Sequence, residues 1–199
     1  MLMAYVPKIL AFAGSTRTDS FNKKLVKLGA AAARAAGAEV TLVDLRDLPM
    51  PLYDGDLEAA SGLPDNAQKF KALMLAHQGL LISAPEYNSG ISGVLKNAID
   101  WASRSASNEP PLACFVNEVA ALMSASPGAL GGLRGLVHVR SILGNIHVLV
   151  LPDQLSIPKA HEAFTSDGAL KDAKQQAAVE RLARQLTTTL TKLNADTSS

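Results

Sequence analysis

The sequence predicts an α/β protein in which a parallel sheet is covered by helices on both faces. Short apolar runs of strand length alternate along the chain with segments whose apolar residues recur at helical spacing. Neither an internal repeat nor a linker of biased composition divides the 199 residues. We therefore expect a single domain over 1–199, with residues 194–199 as a frayed tail.

Five apolar runs are the candidates for the strands of the sheet. Each is short and rich in aliphatic residues, and each is bounded by polar or turn-forming residues. They lie at residues 8–13, 39–43, 79–83, 119–124 and 147–151.

Helical spacing fills the intervals between these runs. Phe21, Leu25 and Leu28 mark the first helix, which Gly37 is placed to end, and Ser92 is placed to cap a later one. Residues 45–66 carry prolines and glycine and are expected to be mostly loop. The remaining helices are expected at about 65–77, 94–102, 130–137 and 179–190.

The first loop, "GSTRTDSFN" at residues 14–22, follows the first strand. Gly14 permits a tight turn, several hydroxyl groups and the Arg17 guanidinium offer donors, and the next helix presents unpaired amides. These donors suit a phosphate monoester. The loop lacks the glycine spacing of nucleoside-triphosphate and dinucleotide motifs. The alternative is a polar cluster that only caps the helix.

The second loop, "SAPEYNSG" at residues 83–90, follows the third strand. Pro85 stiffens its start and Asn88-Ser89-Gly90 supplies turn chemistry, which leaves backbone groups free to read a planar heterocycle. Tyr87 is placed to pack against such a ring. The alternative is an ordinary turn with a surface aromatic residue.

The third loop, "SASPGALGGLRG" at residues 124–135, follows the fourth strand. Its small side chains let a flat ligand approach the backbone, or they reflect nothing beyond a turn and close helix packing. In an open α/β sheet, ligands bind at the carboxyl ends of the strands. The three loops are therefore expected to meet at one edge.

Composition limits the classes of function. A formal net charge of +1 gives no general attraction to nucleic acid or to an anionic membrane, and no apolar run is long enough to span a bilayer. Cys114 is the only cysteine, which excludes an internal disulfide or a thiolate metal site within one chain and fits a reducing cytoplasm. No signal peptide and no metal site are expected.

Four motifs together resemble the NADPH-dependent FMN reductase family, whose flavodoxin-like members include chromate and quinone reductases. They are G-S-x-R-x-x-S-F-N at 14–22, P-E-Y-N at 85–88, L-K-N-A-I-D-W at 95–101 and S-P-G with G-G-L-R within 126–134. The resemblance covers roughly residues 8–164. It implies a three-layer sandwich around a five-stranded parallel sheet of order 2-1-3-4-5.

The resemblance also implies the cofactor and its contacts. FMN would bind with its phosphate in the first loop and its ring between the second and third loops. The residues placed at the cofactor are Ser15, Arg17, Ser20, Phe21, Asn22, Pro85, Glu86, Tyr87, Asn88, Ser89, Ser124, Ser126 and Gly128.

The implied activity is ping-pong electron transfer from NADPH or NADH through the flavin, with no catalytic side chain. The small-molecule acceptor is left open among quinones, chromate, azo or nitro compounds and free flavin. A homodimer or homotetramer is expected.

Two other functions compete with this interpretation. A flavodoxin-type electron carrier would share the FMN site, but such carriers are strongly acidic and this chain is not. A serine hydrolase would use Ser126, Asp153 and His161, which follow in a known order. However, Pro127 directly after the serine has no N–H to give to an oxyanion.

Overall fold

The strands alternate their apolar side chains between two cores, one on each face of the sheet. The computed structural model describes residues 5–106 and 108–195. In the first strand Ile9 and Ala11 point into one core, whereas Leu10 and Phe12 point into the other, and all four are buried. Burial on both faces is typical of a parallel sheet with helices above and below it.

The long strands are parallel and form one sheet, with elements numbered in chain order. They are β1 (Lys8–Ala13), β2 (Glu39–Asp44), β3 (Gly79–Ser83), β6 (Val119–Ala125) and β7 (Leu149–Ile157), in the order β2-β1-β3-β6-β7. This is the predicted order 2-1-3-4-5. A short antiparallel hairpin, β4 (Glu86–Tyr87) and β5 (Gly90–Ile91), lies within the second loop and was not predicted from the sequence.

Helices complete the three layers. On one face α1 (Phe21–Ala35) packs with α7 (Ala173–Asn194); the other face is covered by α3 (Asp65–Leu75), α4 (Gly93–Ala102) and α5 (Leu133–Asn145). Two shorter helices are α2 (Gly55–Ser61) and α6 (Ala160–Ala163). Within the described part of the chain, no helix has the length and apolarity needed to cross a membrane.

The structure differs from the predicted elements at a few boundaries. The last strand starts after His147, which has a left-handed backbone, and continues through Pro152 to Ile157 past a bulge; Pro152 is tolerated because β7 is an edge strand. In the segment expected to be mostly loop, Asp54 caps the amides of Asp56 and Leu57 and thereby starts α2. Of the predicted frayed tail, residues 196–199 lie outside the described residues, and α7 continues to Asn194.

Candidate functional site

The three loops meet in one groove, as the topology requires. β1, β3 and β6 are neighbours in the sheet, so the loops at their carboxyl ends lie side by side. The groove is lined by Ser15, Arg17, Ser20, Phe21, Asn22, Pro85, Glu86, Tyr87, Ala125, Ser126 and Pro127. It therefore brings together most of the residues that the sequence placed at a cofactor; Asn88, Ser89, Ser124 and Gly128 are not part of its lining.

The first loop presents hydrogen-bond donors that are little used by other groups of the described residues. Ser15 and Ser20 are buried, whereas Arg17 is exposed. Ser20 occupies the N-cap position of α1, yet its side chain makes no capping hydrogen bond, and the first turn holds no acidic residue. Because the first amides of a helix have no intrahelical partner, this end of α1 can accept an anion.

Gly14 is required because there is no space for a side chain at this position. Its φ is not positive. A Cβ at this position would instead lie 2.8 Å from Leu95 Cβ, and the Ser92 hydroxyl donates to the Gly14 carbonyl at 2.7 Å. The first loop is thus pressed directly against the start of α4.

The second loop contains a tight hairpin whose turn is strained. Asn88 and Ser89 connect β4 to β5 with φ values of 52° and 67°, the geometry of a two-residue turn that usually carries glycine. Asn88 and Ser89 lie at the tip of this hairpin, beyond the groove lining, while Tyr87 remains half-exposed beside it. The hairpin leaves an aromatic side chain and free backbone edge at the groove.

Glu86 connects the second loop to α5. Arg134 donates to Glu86 Oε1 from Nε at 3.0 Å and from Nη2 at 2.7 Å, and the Gly135 amide donates to Oε2 at 3.1 Å. Burial raises the pKa of Glu86, but the bonds from Gly135 and Arg134 outweigh it, so the pKa lies below its usual value. Sequence reasoning missed Arg134 as a partner of this site, although it lies in the quoted G-G-L-R motif.

The third loop places the Ser124 side chain outside the groove lining. Ser124 is fully buried, its hydroxyl has no hydrogen-bond partner among the described residues, and Gly132 packs so closely that a Cβ there would lie 1.9 Å from Oγ. Its hydroxyl therefore faces the start of α5 and not the groove. Ser126 does line the groove, while the Gly128 carbonyl accepts from the amides of Gly131 and Lys159.

Asn22 lines the groove, and its side chain forms hydrogen bonds within the protein. Its carboxamide forms two hydrogen bonds with the backbone of Ala125, at 2.9 and 3.0 Å, and accepts a third from the Ser83 hydroxyl at 2.9 Å. Ser83 and Ala125 are the last residues of β3 and β6. The backbone amide of Asn22 remains in the uncapped first turn of α1.

The arrangement does not assemble a hydrolase triad. Ser126 Oγ accepts from the Gly128 amide, His161 contacts Glu162, and no hydrogen bond links Ser126, Asp153 and His161 across the described ranges. Nor do the described residues contain a cluster of three His, Cys, Asp or Glu side chains able to hold a metal ion.

The chain is similar in sequence to proteins of known activity. A model of the NADPH-dependent FMN reductase family matches residues 7–162. An NAD(P)H-dependent FMN reductase of Pseudomonas aeruginosa is 35% identical over 176 residues, covering 87% of this chain and 90% of its own. A probable NADPH:quinone oxidoreductase of Oryza sativa subsp. japonica is 36% identical over 172 residues, covering 83% and 79% respectively.

A solved structure gives the same result at the level of the fold. The flavoenzyme NAD(P)H:(acceptor) oxidoreductase FerB from Paracoccus denitrificans superposes with a TM-score of 0.77 at 25% identity. The superposition covers 94% of this chain and 98% of that one.

Proposed function

The chain belongs to the NADPH-dependent FMN reductase family, and on that premise we propose that its groove holds FMN with the phosphate in the first loop and the ring against the second and third loops. The chain is an NAD(P)H-dependent oxidoreductase of the flavodoxin-like fold. We also propose that residues 1–199 form a single FMN-binding domain.

The phosphate end of the proposed site rests on the uncapped start of α1. A phosphate dianion fits there because unpaired amides, the buried hydroxyls of Ser15 and Ser20 and the Arg17 guanidinium all donate hydrogen bonds, and no carboxylate stands in the first turn. The placement of FMN is inferred chiefly from this uncapped start of α1. Among the predicted contacts, Asn22 would contribute its backbone amide.

The ring end would use backbone and packing in place of reactive side chains. Bound FMN supplies the redox chemistry, taking two electrons from a nicotinamide and giving them to an acceptor. Pro85, Glu86 and Tyr87 would lie along one edge of the ring and Ser126 along the other. The Glu86 carboxylate is held by Arg134 and Gly135, which fixes the hairpin relative to α5.

We propose a quinone as the acceptor, since a relative at 36% identity carries that activity in its name. A half-exposed Tyr87 beside the groove offers a planar surface on which an aromatic substrate can stack. The enzyme would work in the cytoplasm, where NAD(P)H is available. We also propose a homodimer or homotetramer, because Leu130, Leu133 and Val137 expose apolar surface just before and along the start of α5.

The test is reconstitution followed by turnover. The purified protein is titrated with FMN, and the complex is mixed anaerobically with NADPH or NADH and then with a quinone, chromate, an azo dye, a nitroaromatic compound or free flavin. Bleaching of the flavin absorbance by a nicotinamide and rapid reoxidation by the quinone are expected. Absence of FMN binding would refute the site, and bound flavin that neither nicotinamide reduces would indicate an electron carrier.

Arg17→Ala tests the phosphate end. The Arg17 side chain is exposed and makes no hydrogen bond within the described residues, so the variant should fold normally yet bind FMN about tenfold more weakly. Arg184→Ala, which changes an exposed arginine on α7, is the matched control. Unchanged affinity in Arg17→Ala would remove Arg17 from the site.

A further inference from the structure

Asn22, in the first turn of α1, joins three segments at the sheet edge through one buried carboxamide. Its Nδ2 donates to the Ala125 carbonyl, and its Oδ1 accepts from the Ala125 amide and from the Ser83 hydroxyl, all at 2.9–3.0 Å. The residue is only 3% exposed. Its orientation is therefore determined by the ends of β3 and β6.

The partners of Asn22 lead directly into the groove. Ser83 ends β3 and precedes Ala84 and Pro85, while Ala125 ends β6 and precedes Ser126. Residues 85–87 and 125–127 both line the groove, and we call these two segments its walls. One side chain on α1 thus holds the origins of both walls.

We infer that Asn22 is a positioning residue, whose side chain keeps the two walls in register with α1 through three buried hydrogen bonds. The inference rests on the proposed FMN site. A carboxamide oxygen has no proton to offer a phosphate, and here it takes two donors from the protein. The amide nitrogen donates one of its two N–H groups to the Ala125 carbonyl, so the carboxamide and the Ala125 backbone pair like one more rung of the sheet.

Loss of this carboxamide leaves buried backbone groups of Ala125 without their partners. The wall that starts at Ala125 and the wall that starts after Ser83 would then shift relative to each other. A ring between the walls senses this shift, whether or not the ligand carries a phosphate. A residue that binds the phosphate, by contrast, affects the affinity only for molecules that carry a phosphate.

The experiment compares FMN with riboflavin, which has the same ring and no phosphate. In Asn22→Ala both flavins should bind more weakly by the same factor, about tenfold. The visible circular dichroism of the bound flavin should also change at saturation, because the ring environment has changed. In Arg17→Ala only FMN should weaken, with an unchanged spectrum at saturation.

Selective loss of FMN affinity in Asn22→Ala, with riboflavin binding and the spectrum unaltered, would overturn the inference.

Ser83→Ala provides a milder variant, since it removes one donor to Asn22 at a buried residue outside the groove lining. This variant should lower the affinity for both flavins equally, by about threefold. Unchanged affinities in Ser83→Ala would also contradict the positioning role. If Arg17→Ala keeps the ratio of FMN to riboflavin affinity, the proposed phosphate site fails, whatever Asn22 does.

Discussion

Arg134 holds the Glu86 carboxylate with two nitrogen atoms, at 3.0 and 2.7 Å from the same oxygen. The two residues come from different segments, the first turn of α5 and the hairpin of the second loop. Gly132 at the N-cap has no side chain, so Glu86, which also accepts from the Gly135 amide, caps α5 from the second loop. The hairpin and α5 are thereby fixed to each other.

Arg134→Ala should destabilise the protein by about 1 kcal/mol at neutral pH, because the Glu86 side chain, only 8% exposed, loses its charged partner. The pKa of Glu86 lies below its usual value in the folded protein. The stabilisation that the ionised Glu86 carboxylate gives the folded protein is therefore present above its unfolded-state pKa. It disappears as the pH falls through its folded-state pKa. Chemical unfolding of wild type and variant should give a difference that shrinks towards pH 3. Arg184→Ala serves as control, and a difference independent of pH would argue against an ionised Glu86.

Ser89→Gly should stabilise the protein by about 0.5–1 kcal/mol, since Ser89 holds a left-handed backbone that glycine adopts without strain. The measurement is thermal unfolding. Ser141→Gly is the matched control: Ser141 lies inside α5, where glycine should cost about 1 kcal/mol. If both variants lose stability, the turn at Asn88 and Ser89 is not strained.

Much of the site could be predicted from the sequence, because the rule that connects sheet topology to ligand position needs only the order of the strands. That rule placed Ser15, Arg17, Pro85 and Ser126 at one edge, and the structure brings them into one groove. The strands could be predicted equally well, because buried parallel strands are continuous apolar runs.

The pairings inside the site could not be predicted, because they join residues far apart in the chain. Asn22 meets Ala125 across 103 positions, and Glu86 meets Arg134 across 48. A motif shows that such residues occur together but not which way their side chains point. For the same reason the contact between the Ser124 hydroxyl and Gly132 could not be predicted from the sequence.

Gly132→Ala should destabilise the protein by about 3 kcal/mol or more, because a Cβ would lie 1.9 Å from Ser124 Oγ and φ is 93°. Adding Ser124→Gly should recover part of this loss, since it removes the clash and leaves the backbone strain. Urea unfolding measures both variants. Gly144→Ala, at a helical position with open space around it, should be neutral or stabilising. A tolerated Gly132→Ala would mean that the third loop is not packed on Ser124 as described.

Glu118 should make stability fall as the pH rises, the opposite of an ordinary surface carboxylate. It lies next to the amino end of β6, away from the groove, and its Oε2 has no hydrogen-bond partner among the described residues. Burial raises its pKa from 4.5 to about 8. The folded protein therefore binds a proton that the unfolded chain releases.

The resulting stabilisation is complete below the unfolded-state pKa of 4.5 and is lost as the pH rises towards about 8. Glu118→Gln keeps the shape of the side chain and removes the titration. At pH 8.5 it should exceed wild type by about 2–4 kcal/mol in free energy of unfolding, and the gain should fade towards pH 5. Glu39→Gln, at an exposed position on β2, should leave the pH profile unchanged. A wild-type profile that is flat between pH 5 and 8.5 would show that the Glu118 carboxyl is ionised in the folded protein without cost.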